Sequence, residues 1–374
     1  MHVPGFTRRQ WLAAGLALPW AAQAAAELDA DPVLQPRPLR FPRDHGTHNA
    51  TRTEWWYLTG HAQDATGRPF GFQVTFFRSR VDAAQALPGR LAAKQLLFAH
   101  AAITDVQGGQ LHHDQRIARW NGEPPAQREG GVWASELDLH VVLRDWFLQR
   151  QPDGGYTTQV RGEGLAIELR ARADQAILLQ GEAGFSRKGP QPAQSSFYVS
   201  HPQLAVQGRL RLGGQTFTVN GSAWLDHEWS QALLHPDAVG WDWIGMNLDD
   251  GSSLTAFRLR RADGSALWAG GSVRQARDAQ RTDAVHFGSD DVVFEARRFW
   301  TSPSTRARYP VEWSVRTPAG RHTVRAVIDA QELDSRQSTG TVYWEGLSDL
   351  LDEQGRRVGR GYLEMTGYAQ RLVL

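Results

Sequence analysis

Residues 208–229 read GRLRLGGQTFTVNGSAWLDHEW, and the fold follows from this stretch. Apolar and polar side chains alternate in GRLRL and again in QTFTV, the period-two pattern of half-buried strands. Gly213-Gly214 between them supplies the backbone freedom of a two-residue hairpin, and Asn220-Gly221 reads as the next turn. The same pattern recurs over 54–60, 71–78, 137–143, 165–170, 204–212, 254–259 and 361–368, with Asp250-Gly251 marking a hairpin between MNLD and SSLTAF. Helix-length periodicity is scarce, its best segments being 92–98 and 348–352. Parallel sheets with crossover helices are thus poorly supported, and the expected fold is all-β and antiparallel.

Composition agrees. Fifteen Trp and 37 Gly among 374 residues suit strands, tight turns and a large aromatic-lined interior. At about 100 to 200 residues per domain, the length provides for two or three domains. Lys+Arg 41 against Asp+Glu 40 leaves a net charge of +1. With no basic block to follow a phosphate backbone, nucleic acid is not an expected partner. The absence of cysteine removes disulfides, thiolate metal sites and a cysteine nucleophile.

The first residues read as an address. Arg8 and Arg9 precede a short apolar run over 11–22 and small residues suited to cleavage near Ala24. The run is too short to span a bilayer. Its paired arginines resemble a twin-arginine export signal, with Thr7 and Trp11 in place of the usual serine and phenylalanine. Cleavage there removes Arg8 and Arg9, leaving 39 basic against 40 acidic groups, and places the protein in the periplasm or outside the cell. Left uncleaved, the same segment would anchor it on that side of the membrane.

An internal duplication is visible. EWWYLTGHAQDATGRPFGFQVTFFRSR (54–80) and GWDWIGMNLDDGSSLTAFRLRRADG (240–264) each begin with paired tryptophan-bearing strand positions, pass a glycine turn and return as an apolar strand ending in arginine. QTFTVNGSAWLDHEW and RRVGRGYLEMTGY close their halves alike. The expected organisation is an export signal over 1–26, a first barrel over 27–234 and a second over 235–374. The proline-bearing stretch KGPQPAQSS (188–196) reads as a long loop within the first.

Chemistry concentrates in AWLDHEWSQ (223–231) and in the following GWDWIGMNLDDG. Alternation puts His227 and Trp229 on one strand face and Asp226 and Glu228 on the other. If His227 faces a ligand, a carboxylate such as Asp242 or Asp250 could orient it as an acid–base group; otherwise it closes a hydrogen-bond network inside a barrel. In TRTEWWYLTGH (51–61), Glu54 shares a face with Trp56. Buried without a partner, Glu54 would hold its proton and donate it; paired with Arg52, it would be structural. TVYWEGLSDL (341–350) repeats the theme with Tyr343, Trp344 and Glu345. No histidines have H-E-x-x-H spacing, and serine-nucleophile elbows, phosphate loops and dinucleotide fingerprints are missing, so neither a metal nor an organic cofactor is expected.

The strings TRTEWWYLTGH, FAHAAITD, AWLDHEWSQ, GWDWIGMNLDDG and VYWEGLSDLLDEQGRRVGRGYLEMTGY resemble the AttH and carotenoid 1,2-hydratase superfamily of secreted lipocalin-like proteins over nearly the whole mature chain. The resemblance implies two tandem lipocalin-like antiparallel β-barrels with an apolar ligand site in or between them. It also implies either a cofactor-independent hydratase of isoprenoid or polyene double bonds, or a carrier that shields a lipid, including as companion of an ABC-type export system. The hydratase branch's histidine and tryptophan match His227 and Trp229, and its downstream acid matches Asp249 or Asp250. On this reading His227, Asp250 and Glu54 carry the acid–base chemistry, while Trp229, Trp241, Trp243, Trp56 and Tyr343 contact the ligand.

Overall fold

Alternation of inward apolar and outward polar or aromatic positions builds two antiparallel sheets in succession. The computed structural model describes residues 33–124, 131–231 and 234–372. The expected export signal lies outside these residues. Among the described residues, no helix is long and apolar enough to cross a membrane.

The first sheet starts with β1 (Thr53–Asp64), β2 (Pro69–Arg80), β3 (Gln95–Asp105) and β4 (Gln110–Trp120). Short strands follow: β5 (Val132–Ala134), β6 (His140–Leu143), β7 (Trp146–Arg150), β8 (Tyr156–Arg161) and β9 (Leu165–Arg172). β10 (Leu178–Leu179) and β11 (Phe185–Arg187) pair with the long β12 (Ser195–Leu212), and β13 (Gln215–Ser230) returns alongside β1. The order is β4-β3-β2-β1-β13-β12-β9-β8-β7-β6-β5, and the edge strands β4 and β5 come round to face each other. Side chains bridge the seam: Arg116 of β4 pairs with Asp145 beside β7.

The second sheet repeats this plan. β14 (Ala238–Leu248), β15 (Ser253–Arg261), β16 (Ala266–Arg274) and β17 (Val285–Phe287) form its first wall. β18 (Val293–Thr301), β19 (Arg308–Thr317), β20 (Gly320–Ala326), β21 (Glu332–Asp334), β22 (Val342–Leu351) and β23 (Arg357–Met365) complete it. The order β17-β16-β15-β14-β23-β22-β20-β19-β18 sets the opening strand between the second and the last, as β1 lies between β2 and β13. The protein is therefore all-β, with two lipocalin-like barrels in tandem inside the unit Val33–Leu374.

Both barrels are solid. Trp56, Phe70, Phe72, Trp146 and Tyr156 fill the first, and Tyr309, Trp313 and Trp344 the second. Large aromatic side chains at the inward positions occupy the volume a hollow barrel would leave to a ligand. The outer faces of β1, β2 and β3 lie against those of β22 and β23, and Gly71 permits the approach: a Cβ there would sit 2.9 Å from the Tyr362 hydroxyl and 3.1 Å from Leu347.

Three local readings change. The segments 92–98 and 348–352 are not helical: β3 and β22 supply most of them, because cross-strand pairing overrides a weak local periodicity. Asn220-Gly221 is not a turn either, since β13 runs through it in register with Gln63 and Ala62 of β1. Gly221 is there for proximity: an added Cβ would lie 1.9 Å from the His61 carbonyl oxygen. Gly221→Ala should therefore lower stability by roughly 1–3 kcal/mol, measured as a shift of the urea midpoint, whereas Gly67→Ala in the open β1–β2 turn should act only through its φ of 84°.

Candidate functional site

The β1–β13 register sets Trp56 opposite His227 and Glu54 opposite Trp229, all pointing into the first barrel. There Glu54 is a hub. Its carboxylate accepts hydrogen bonds from Thr47 Oγ1 (2.8 Å), the His48 backbone N–H (2.9 Å), His48 Nδ1 (2.8 Å), His227 Nε2 (2.9 Å) and Arg78 Nε (2.9 Å). Arg78 spends its other nitrogens on Gln95, Thr51 and the His48 carbonyl. His48 continues to Asp44 at 3.0 Å, and Arg37 grips that carboxylate with two bonds.

Burial alone would push the Glu54 carboxyl up, but His48, His227 and Arg78 together hold it well below its ordinary range. Glu54 is thus an ionised anchor and not a proton donor, and its partner is Arg78, not Arg52. His227 is neutral, because burial lowers its proton affinity more than Glu54 raises it. Its Nε2 bears the hydrogen given to Glu54, and its buried Nδ1 has no partner among the described residues. Trp229 stacks on His48 at 3.8 Å and 7°, and Trp56 on His227 at 4.9 Å and 16°. Ligand atoms of His48, Glu54 and His227 lie within 4.8 Å of one another, yet they are bonded to each other, and a metal ion would have to break those bonds.

The opposite strand faces build something else. Between the barrels is a cavity of about 290 Å³. Trp55, Tyr57, Phe77, Phe98, Tyr198, Asp226 and Glu228 line it from the first barrel, and Trp241, Trp243, Phe257, Tyr343 and Glu364 from the second. Tyr57 opposes Asp226 across β1 and β13, while Phe257, Trp243 and Glu364 lie in register across β15, β14 and β23. Two rows of aromatic and acidic groups thus face each other.

Three carboxyl groups at this interface depart from ordinary behaviour. Burial pushes Asp226 up to about 7 and outweighs the bonds it accepts from Ser200, Trp224 and Tyr198, with Glu228 adding to the rise. Burial likewise pushes Glu364 up to about 7, helped by Asp226 and Glu228 and opposed by bonds from Trp241 (2.9 Å) and Tyr57 (3.3 Å). Glu345, cross-strand from Glu364, is held well above its ordinary range by burial and by that neighbour. A one-way chain of donors borders this end: Gln73 gives to Tyr343, Tyr343 to His100, His100 to Ser338 and Ser338 to Gln115. Burial lowers His100 to about 3, so the ring is neutral and the chain has a single direction.

The residues singled out from the sequence therefore separate. Trp241, Trp243 and Tyr343 line the cavity. His227, Trp229 and Trp56 lie behind its wall, and Glu54 borders it while spending its carboxylate on the hub. Asp250 is in the exposed β14–β15 turn, where it caps Ser252 N–H, and it meets none of the others. Asp242 points into the second barrel toward Arg258 and Tyr368. Sequence reasoning passed over Asp226, Glu228, Tyr57, Tyr198 and Glu364. The signal for the first two was the alternation itself: if His227 is inside, its neighbours are outside.

The sequence profile of the AttH-like family matches residues 32–368. The chain belongs to this family. An AttH candidate from Nitrosomonas europaea, solved by crystallography, is 42% identical, with a TM-score of 0.81 over 90% of this chain and 99% of its own. Kievitone hydratase from Nectria haematococca shares the fold at 12% identity, with a TM-score of 0.67 over 89% of this chain and 94% of its own. So does CghA with Sch210972, at 12% identity and a TM-score of 0.51 over 84% of this chain and 88% of its own. No curated protein sequence matches this AttH-like chain.

Two outcomes follow from these charges. Arg78→Met leaves Glu54 ionised, buried and short of its cation, and should cost about 3–5 kcal/mol in urea unfolding. Glu364 has a folded-state value near 7, above the unfolded 4.5, so its contribution to stability is full below about 4.5 and disappears as pH rises through 7. Glu364→Gln should therefore gain in Tm over the parent as pH rises from 5 to 8, and a constant difference across that range would contradict the assignment.

Proposed function

We propose that this AttH-like protein is a cofactor-independent acid–base catalyst of the hydratase type, adding water across a C=C bond of an apolar isoprenoid, polyene or lipid ligand held between the barrels. One observation carries the reading: Asp226 and Glu364, both with proton affinities near neutrality, share one aromatic-lined cavity. A carboxyl of that kind keeps its proton at working pH and gives it up to a carbon placed against it.

Glu364 is the better donor, because it accepts only two hydrogen bonds while Asp226 accepts three, which favour the ionised form. Proton transfer from Glu364 leaves a carbon cation. The faces of Trp241, Trp243 and Tyr57 stabilise it by about 0.5–2 kcal/mol each. Water then forms the C–O bond, and Asp226 removes the proton that water loses. One proton leaves the pair and one returns, so the net change is addition of H2O.

The twin-arginine segment supports export, which would place this chemistry in the periplasm or outside the cell. A second reading has an observation of its own: two of the cavity's carboxyl groups already have partners, Glu228 in Lys188 and Glu364 in Trp241, as in a lipid carrier that serves an ABC-type export system. Turnover separates the two. Incubation with an apolar alkene identified by mass spectrometry of the purified protein should give a product heavier by one water. Glu364→Gln should slow that conversion about 10²–10⁴-fold while ligand affinity stays within a few-fold. The parent's kcat/KM should fall as pH rises through about 7, and intact ligand recovered from every variant would establish the carrier.

A further inference from the structure

The proton-transfer scheme leaves one cavity cation without a task. Lys188 follows β11 at the start of the proline-bearing loop, and its ammonium lies against the ring faces of Tyr198 at 4.3 Å and Phe257 at 4.5 Å, one from each barrel. It is one of only two lysines in a chain whose other basic groups, histidine aside, are arginine. Arg78, the other cation bordering the cavity, has all its nitrogens committed. An ammonium has three hydrogens. Among the described residues only Glu228, at 3.0 Å, accepts one. Buried donors without acceptors are costly, so the remaining hydrogens call for an oxygen atom from the cavity's occupant.

The surroundings select which oxygen. Asp226, Glu228 and Glu364 crowd the same buried space, which already disfavours negative charge, so a ligand carboxylate would add one more anion there, whereas a carbonyl accepts N–H without adding charge. Phe257, under the ammonium, is two strands from Glu364 in the same row, about 10 Å between backbones. Lys188 and Glu364 therefore reach the cavity from the same row, so a conjugated unit lying along that row would present oxygen to Lys188 and carbon to Glu364.

We propose that Lys188 anchors a ligand carbonyl, which makes the substrate of this site an α,β-unsaturated ketone or aldehyde on an apolar skeleton. The inference rests on the hydratase reading and narrows its substrate. In such a molecule Lys188 draws electron density onto oxygen. The carbon cation of the general scheme is here replaced by an enolate held at Lys188: water bonds to the β-carbon and loses its proton to Asp226, the π pair moves toward the Lys188-bound oxygen, and Glu364 protonates the α-carbon.

The test compares two probes with one skeleton: trans-chalcone, an apolar enone, and 1,3-diphenylpropene, which has CH2 in place of C=O. Binding is read by tryptophan quenching. The parent should prefer chalcone about tenfold or more, with a red shift of the enone absorption band. Lys188→Met should abolish both the preference and the shift while holding diphenylpropene within about twofold of the parent. Equal affinities in the parent overturn the proposal without recourse to a variant, as does an unchanged preference in a folded Lys188→Met protein. Covalent fixation of chalcone on Lys188 by borohydride overturns it too, since that would mean an imine. None of these readouts uses turnover: Glu364→Gln should keep the chalcone preference, so loss of the hydratase reading is visible separately.

Discussion

Five hydrogen bonds converge on the Glu54 carboxylate, and they fix the arrangement of everything around it. An ionised carboxylate inside a barrel is tolerable only when its lone pairs are filled. Filling them ties the segment before β1 to β1 itself, to β2 through Arg78 and to β13 through His227. Once these strands are held in register, their other faces have no freedom either. Trp55, Tyr57, Asp226 and Glu228 must point at the second barrel. The charge inside therefore decides the composition of the cavity outside.

The two faces have opposite electrostatics for one physical reason. Inside the first barrel, Glu54 has His48, His227 and Arg78 within hydrogen-bond reach and is driven down. Between the barrels, carboxyl groups crowd one another with Lys188 as the cation beside them, and Asp226, Glu364 and Glu345 are driven up. Burial is common to both. What differs is whether it is compensated.

Much of the fold was legible. Period-two alternation, glycine hairpins and the duplicated strand segments led to two antiparallel barrels, because strand patterns are local properties of the chain. The site was legible only in part. AWLDHEWSQ is a focus of the structure, but alternation says that His227 and Asp226 differ in direction without saying which is inside. In the sequence Asp250 reads as a carboxylate able to orient His227 and as the match to the hydratase branch's downstream acid, and a hairpin turn carries it away from the site. Glu364 and Tyr57 meet only when β23 is laid against β1, a contact between residues 307 positions apart. No sequence window contains it.

The separation of packed interiors from the shared cavity also bears on how such proteins diverge. Side chains that determine what fits between the barrels, such as Phe257, Trp243 and Tyr343, point away from the groups that keep each barrel folded. Selection can thus retune recognition on one strand face while the other preserves the scaffold, and homologous chains can drift to unrelated small molecules without passing through unfolded ancestors.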